Sequence, residues 1–389
     1  MKRFLITSHV VFALVGVANT MLGPLLPVLA QRWQLADRQS GLLFFVQFAC
    51  GFAGAITSTR LAKYFSLHLI ARAGLLCVAV GFLGLAMPSL VVATLGLALN
   101  GIGLGLANPT ITASVCEAAP DRRAAILNLL NFVWALGAIT APNLVVAAMR
   151  HGEVKIPQML IGYALLMAMS AFIIPQVATS SFVQPSSGAK LSRSMLRLII
   201  ACGVLIFTYV GIENGIAGWL PTFAIRVQGF TLQRTALLQD TFWMTFLAGR
   251  FLAPVFLRFT GERLLLTLSM CVAALGTIAL LLFHSPLDLF ISVATVGLGC
   301  AAVFPTAIAV LSHHLGGQSG SNLGFVFASA GLGAGVLPYC IGWLSSASQS
   351  LRTAMWLLVG AEVVLLFAHA VMSNLAARGP DISALSNQA

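Results

Sequence analysis

The feature that most constrains this chain is the return, from one end to the other, of apolar runs about 20 residues long, the length of helix that crosses the hydrocarbon core of a bilayer. A backbone inside hydrocarbon must satisfy its own N–H and C=O groups, so such runs fold as helices. Breaks at Pro, Gly and charge clusters divide the chain into about twelve of them. The predicted spans are 4–31, 37–64, 68–87, 89–117, 121–149 and 157–178 in the first half. In the second half they are 195–226, 231–259, 262–283, 286–313, 317–346 and 350–377. A soluble fold is excluded by charge: only 8% of the 389 residues are Asp, Glu, Lys or Arg, against about a quarter in water-facing domains. Lys2 and Arg3 precede an apolar stretch, as in a signal peptide, but that stretch continues from Phe4 to about Ala30. It is too long for a signal-peptide core and reads as a retained first helix.

The formal charge of +11 does not indicate nucleic-acid binding, because the basic residues sit at the ends of the apolar segments. With the N-terminus inside, thirteen Lys and Arg fall in inside loops and seven outside, with Arg250 left within a helix. The positive-inside rule then places both termini and the central linker in the cytoplasm of a multi-pass cell (inner) membrane protein. Seven scattered cysteines lack the paired spacing of a metal or redox site and read as packing residues.

The two halves repeat. Gly101-Ile102-Gly103 followed by Pro109-Thr110 returns as Gly297-Leu298-Gly299 followed by Pro305-Thr306. Gly137-Ala138 and Pro142 return as Gly333-Ala334 and Pro338, all at an offset of 196 residues. Gly16-Val17-Ala18-Asn19 is echoed by Gly211-Ile212-Glu213-Asn214 at an offset of 195. Matches in register across several helices indicate two parallel six-helix halves, an architecture of secondary transporters. The expected organisation is an all-α integral membrane fold of two pseudo-symmetric bundles, 1–178 and 195–389, joined by a polar linker at 179–194.

At this level the chain resembles the major facilitator superfamily along essentially its whole length. Thr59-Arg60-Leu61-Ala62-Lys63-Tyr64 is a degraded form of the loop signature of that family, and Gly249-Arg250 before Arg258 is a partial second copy. Two segments resemble the fucose permease-like branch of sugar–proton symporters: Tyr209 to Thr222 on the seventh helix, and Asn131 to Ala138 with Pro142 on the fifth. The resemblance implies sugar transport by alternating access. It does not carry proton coupling over directly. Where that branch has acids in its first and fourth helices, this chain has Ala18-Asn19 and Asn100 with Asn108.

Ionisable residues inside a bilayer are costly and mark cavities or partners. Glu213, beside Asn214, Gly215 and Gly218, is the leading candidate to contact substrate and to bind a proton. Asp240 is the second, with Gln239 and Trp243 on neighbouring parts of one helix face. For Asp240 an interhelical hydrogen bond is the competing reading. Asn128, Asn131 and Trp134 step by three along the fifth helix, a polar and aromatic stripe suited to a sugar ring. Asn19, Gln47 and Asn108 suit the same lining. Glu362 and His369 share a face of the last helix and read as structural or lipid-facing, with a proton relay as the competing reading. Glu117 with Asp121, Arg122 and Arg123 reads as a charge cluster, as does Arg250 with Arg258 and Arg263. His313-His314 lacks the further ligands of a metal site.

Helix interiors contain no Lys, and no Arg but Arg250, so phosphates and carboxylates lack a cationic partner. The remaining amides, aromatics and two carboxylates suit a neutral polyol, a hexose before a pentose. A proton-driven exporter of organic cations is the alternative. A membrane enzyme is disfavoured for want of a nucleophile–base pair, and a sensor for want of room in the linker. The expected partners are a sugar, H+ and the lipid bilayer around a monomer, with no cofactor and no metal.

Overall fold

The computed structural model describes residues 2–118, 123–152, 154–174, 193–315 and 319–377, and all regular structure among them is helical. The first span is α1 (Lys2–Thr20) and α2 (Leu22–Trp33), followed by α3 (Asp37–Leu61), α4 (Leu67–Ala86), α5 (Leu90–Ala118), α6 (Arg123–Met149) and α7 (Lys155–Ile173). The second half comprises α8 (Arg193–Arg226), α9 (Leu232–Leu257), α10 (Glu262–Leu282), α11 (Pro286–Ala301), α12 (Val303–Leu315), α13 (Ser319–Ser348) and α14 (Leu351–Ala377). Among the described residues, eleven spans are long and apolar enough to cross a membrane. The twelfth traverse is α9, whose 26 residues include Arg234, Asp240 and Arg250. The chain is a multi-pass membrane protein. Residues 179–192 of the expected linker lie outside the described residues, as do Asp121 and Arg122.

Proline explains where the helices depart from the expected spans. Pro24 has no N–H to give the carbonyl four residues back, that of Thr20, and the first span breaks at Met21. Pro305 likewise leaves the Ala301 carbonyl without its helical donor, and the tenth span breaks at Ala302 (φ −90°, ψ −14°). Its repeat partner Pro109 sits inside an unbroken α5. The sixth span stops at Ile173 instead of 178, because Ile174 (φ −58°, ψ 116°) precedes Pro175 and is driven out of the helical region.

The packing shows the repeat. Within the first half α1 packs on α6, α3 and α4 on α5, and α4 on α7. The same pairs recur in the second half as α8 on α13, α9 and α10 on α11, and α10 on α14. Repeated glycines are among the closest points of this packing. A Cβ on Gly137 would lie 2.0 Å from the Ala13 carbonyl oxygen, and one on Gly333 would lie 2.0 Å from that of Phe207. Only glycine allows those backbones so close.

The halves meet along a seam where α3 packs on α13, α6 on α9 and α2 on α8. Residues 2 and 377 lie at one end of the bundle, here the terminal end, and the connections at 34–36 and 227–231 lie at the opposite, loop end. A cluster of hydrogen bonds crosses the seam in the loop-end half. Asp37 receives the guanidinium of Arg226 and the Ser345 hydroxyl (2.5 Å), and the Arg38 N–H donates to Ser346 Oγ (2.8 Å). Deeper in, Asn143 donates to Asp240.

Candidate functional site

Midway along the seam, α1, α2 and α3 of the first half face α8 and α9 of the second around a small internal space. Asn19, Gln47, Asn214, Gln239 and Trp243 line it, joined by Thr20, Phe44 and Phe48. The proline break puts Asn19 and Thr20 there, at the end of α1. Its free volume is about 20 Å³, room for a water molecule. Pockets that hold organic ligands run roughly 300–1,000 Å³, so the space as it stands is too small for one.

Two glutamines define its chemistry. Gln47 is 2% exposed, and its Nε2 donates to Asn100 Oδ1 at 3.2 Å. Gln239 is 3% exposed, and its Nε2 donates to the Ala217 carbonyl at 3.1 Å. That carbonyl is free because Pro221, four residues on, has no N–H to offer it. Both amide nitrogens are therefore held from behind. Both Oε1 atoms are buried and have no hydrogen-bond partner among the described residues. A buried acceptor left unpaired costs about 1–3 kcal/mol, which a ligand hydroxyl would recover. The indole of Trp243 forms an apolar wall, held edge-on by Trp134 at 5.7 Å across the seam and by Phe242 at 5.0 Å. Residue Asn214 bonds to the Val210 carbonyl of its own helix at 2.9 Å. No charged side chain lines the space.

The other candidates lie elsewhere. Glu213 points into the second half, where Tyr209 Oη lies 2.6 Å from its Oε2, with Arg250 electrostatically close on α9. The Arg250 guanidinium rests over the Phe246 ring at 4.3 Å. Asp240 accepts from Asn143 on both carboxylate oxygens and sits beside the space, not on it. Trp134 backs Trp243 without lining the space itself. Asn128 and Asn131 are exposed toward the terminal end of α6, and Asn131 bonds to Leu127 of its own helix. Asn108 has its Oδ1 buried without a partner among the described residues, away from the space. Glu362 is 1% exposed and faces α10, accepting from the Thr277 hydroxyl at 2.6 Å; His369 lies 3.0 Å from Thr267 on the same helix. These two residues face the interior of the half, not lipid.

The sequence offers no site role for Thr20, Phe44 or Asn143, and names Asn100 and Tyr209 only within the family resemblance. Tyr209 was legible, four residues before Glu213 and so on the same helix face. The pairing of Asn143 with Asp240 had no local signal, since the two are 97 residues apart.

Residues 9–295 match the model of the Major Facilitator Superfamily. The chain is 24% identical over 411 residues to sodium-dependent glucose transporter 1A of Mus musculus, covering 95% of this chain and 96% of that one. Among solved structures, a bacterial homolog of the human lysosomal transporter Spinster, inward-facing and unoccupied, superposes with TM-score 0.77 at 14% identity, over 96% of each chain. The E. coli fucose:proton symporter FucP does so with TM-score 0.62 at 19% identity, over 95% of this chain and 98% of that one.

Proposed function

The chain belongs to the Major Facilitator Superfamily, and from that premise we propose that it carries a small neutral polyol, a hexose first, by alternating access through the space between its halves. The observation that supports this most directly is the pair of buried, unpartnered amide oxygens, Gln47 Oε1 and Gln239 Oε1, one from each half. Acceptors held in place call for a ligand that brings O–H donors. A pyranose offers several, together with a C–H face for the Trp243 indole. The glucose transporter of the mouse, similar over nearly its whole length, supports a hexose.

In this reading the terminal end faces the cytoplasm, following the thirteen-to-seven distribution of basic loop residues. The seam bonds at the loop end then close the outer side. A hexose is too large for the space as it stands, so binding requires the halves to part. Glu213 is the coupling carboxyl, binding a proton within the second half instead of touching the sugar. The name of the mouse relative specifies sodium and that of FucP specifies protons, so the driving ion is part of the test.

Export of organic cations is the second reading. The space lacks a carboxylate, which favours the neutral polyol.

The experiment is uptake of radiolabelled hexoses into proteoliposomes under an inward proton gradient, an inward sodium gradient or neither. Saturable, gradient-stimulated glucose uptake that is lost in Glu213→Gln is expected. Absence of any sugar uptake, with efflux of lipophilic cations instead, would overturn the reading.

A further inference from the structure

Tyr209 is a buried phenol that the substrate site does not use. Its hydroxyl has one proton and two acceptors within reach: Glu213 Oε2 at 2.6 Å and the Cys300 backbone carbonyl at 2.9 Å. One proton cannot serve both. If Glu213 carries a proton on Oε2, the carboxyl donates to the Tyr209 oxygen and Tyr209 donates to Cys300, so every group is satisfied. If Glu213 is ionised, the phenol must turn its proton to the carboxylate. The Cys300 carbonyl then loses its side-chain donor.

Cys300 stands beside the break of the tenth span. Pro305 leaves the Ala301 carbonyl without a helical donor, α11 ends at Ala301, and the Ala302 N–H turns back toward the Cys300 carbonyl. Carbonyls at such breaks are the backbone groups that transporters use to bind or sense cations. Around Glu213 the titratable and charged groups are Tyr209 on its own helix, Arg250 on α9 and Cys300 on α11. Glu362 on α14 acts electrostatically on the same cysteine. The ensemble lies within the second half, with Glu213 half-buried, and is separate from the space between the halves.

We propose that Tyr209 is the positioning residue that links protonation of Glu213 to the shape of the tenth span, by donating to the Cys300 carbonyl only while Glu213 holds a proton. The proton enters from water onto Glu213 Oε2 and returns to water from the same atom; Tyr209 redirects its hydroxyl without losing its own proton. The hinge at Ala302 is thereby stiffened in one protonation state and released in the other, which biases the two arrangements of the halves. The inference rests on the reading of Glu213 as the coupling carboxyl.

The test uses the full chain in proteoliposomes and two readouts: glucose counterflow, which needs no net proton movement, and glucose accumulation driven by an inward proton gradient. Tyr209→Phe is expected to keep counterflow and lose accumulation above equilibrium. Pro305→Ala, which returns a donor to Ala301 and makes the tenth span continuous, is expected to do the same. It decides the matter if the tyrosine variant shows no counterflow. Accumulation at the wild-type level in Glu213→Gln overturns the reading of Glu213 itself. Loss in Glu213→Gln with wild-type accumulation in Tyr209→Phe, or in Pro305→Ala where that variant decides, overturns the role of Tyr209 alone. Accumulation driven by a sodium gradient and not by a proton gradient overturns the proton mechanism.

Discussion

Asn143 Nδ2 donates to both carboxylate oxygens of Asp240, at 3.1 and 2.9 Å, and so fastens α6 to α9 across the seam. The two residues belong to different halves, and the bond must break whenever the halves part at the loop end. Interhelical hydrogen bonds in membranes contribute about 0.6 kcal/mol on average and up to about 1.7. Asn143→Ala is therefore expected to raise the population opened at the loop end by about threefold to sixteenfold, at 1.4 kcal/mol per factor of ten. Spin-label distances between the loop ends of α6 and α9 would report it; an unchanged distribution would show that the bond does not hold the seam.

The Arg226–Asp37 pair, with Ser345 donating to the same carboxylate, is the outermost fastening. Arg226 is 50% exposed and Asp37 10%, so solvent screens the pair and its share is about 0.2–1 kcal/mol. Arg226→Ala and Asp37→Asn should each promote opening at the loop end, and the double variant should exceed neither single one by much. Reactivity of a cysteine placed at position 345 or 346 measures this. Additive effects would mean that the two residues act apart.

Removing either free amide oxygen should weaken sugar binding by about 1–3 kcal/mol, about fivefold to over a hundredfold in affinity. Gln47→Ala and Gln239→Ala differ in their side effects. Only the second strands the Ala217 carbonyl, whose helical donor Pro221 cannot supply. Gln47→Ala instead strands the buried Asn100 Oδ1, so both variants should also lower the melting temperature in detergent. Glucose titrations followed by Trp243 fluorescence, alongside thermal melts, separate the two effects.

Gly137 and Gly333 cannot accept a side chain where they stand, whereas a Cβ on Gly162 or Gly360 meets nothing within 4 Å. Alanine at either of the first two should cost at least the 1–3 kcal/mol typical of overpacking. At the other two positions alanine should leave the melting temperature essentially unchanged. Equal melting of all four variants would show that the helices move apart freely.

Much of the architecture could be read directly. Apolar length gives the spans, and glycines and prolines in register at one offset give the repeat. The site was legible only in part, and adjacent pairs show why. Glu213 and Asn214, like Asp240 and Gln239, are neighbours separated by about 100° around the helix. In each pair both members are polar, and local sequence does not say which one faces the other half. The structure turns Asn214 and Gln239 to the central space and sends Glu213 and Asp240 to partners elsewhere. The stripe of Asn128, Asn131 and Trp134 does run along one helix, but depth divides it. Only Trp134 reaches the level of Trp243.

By itself, then, the sequence determined that the chain crosses a membrane about twelve times in two equivalent halves, because backbone in hydrocarbon must form helices of bilayer length. It also determined that, Arg250 apart, the helix interiors hold amides in place of cations, because residue identity alone sets charge. The tertiary structure decided which of those amides meet. Helix rotation and depth are set by packing across the seam, by glycines that let backbones touch, and by prolines that end α1 beside Asn19 and free the carbonyl that holds Gln239. Those are long-range contacts, and no window of local sequence contains them.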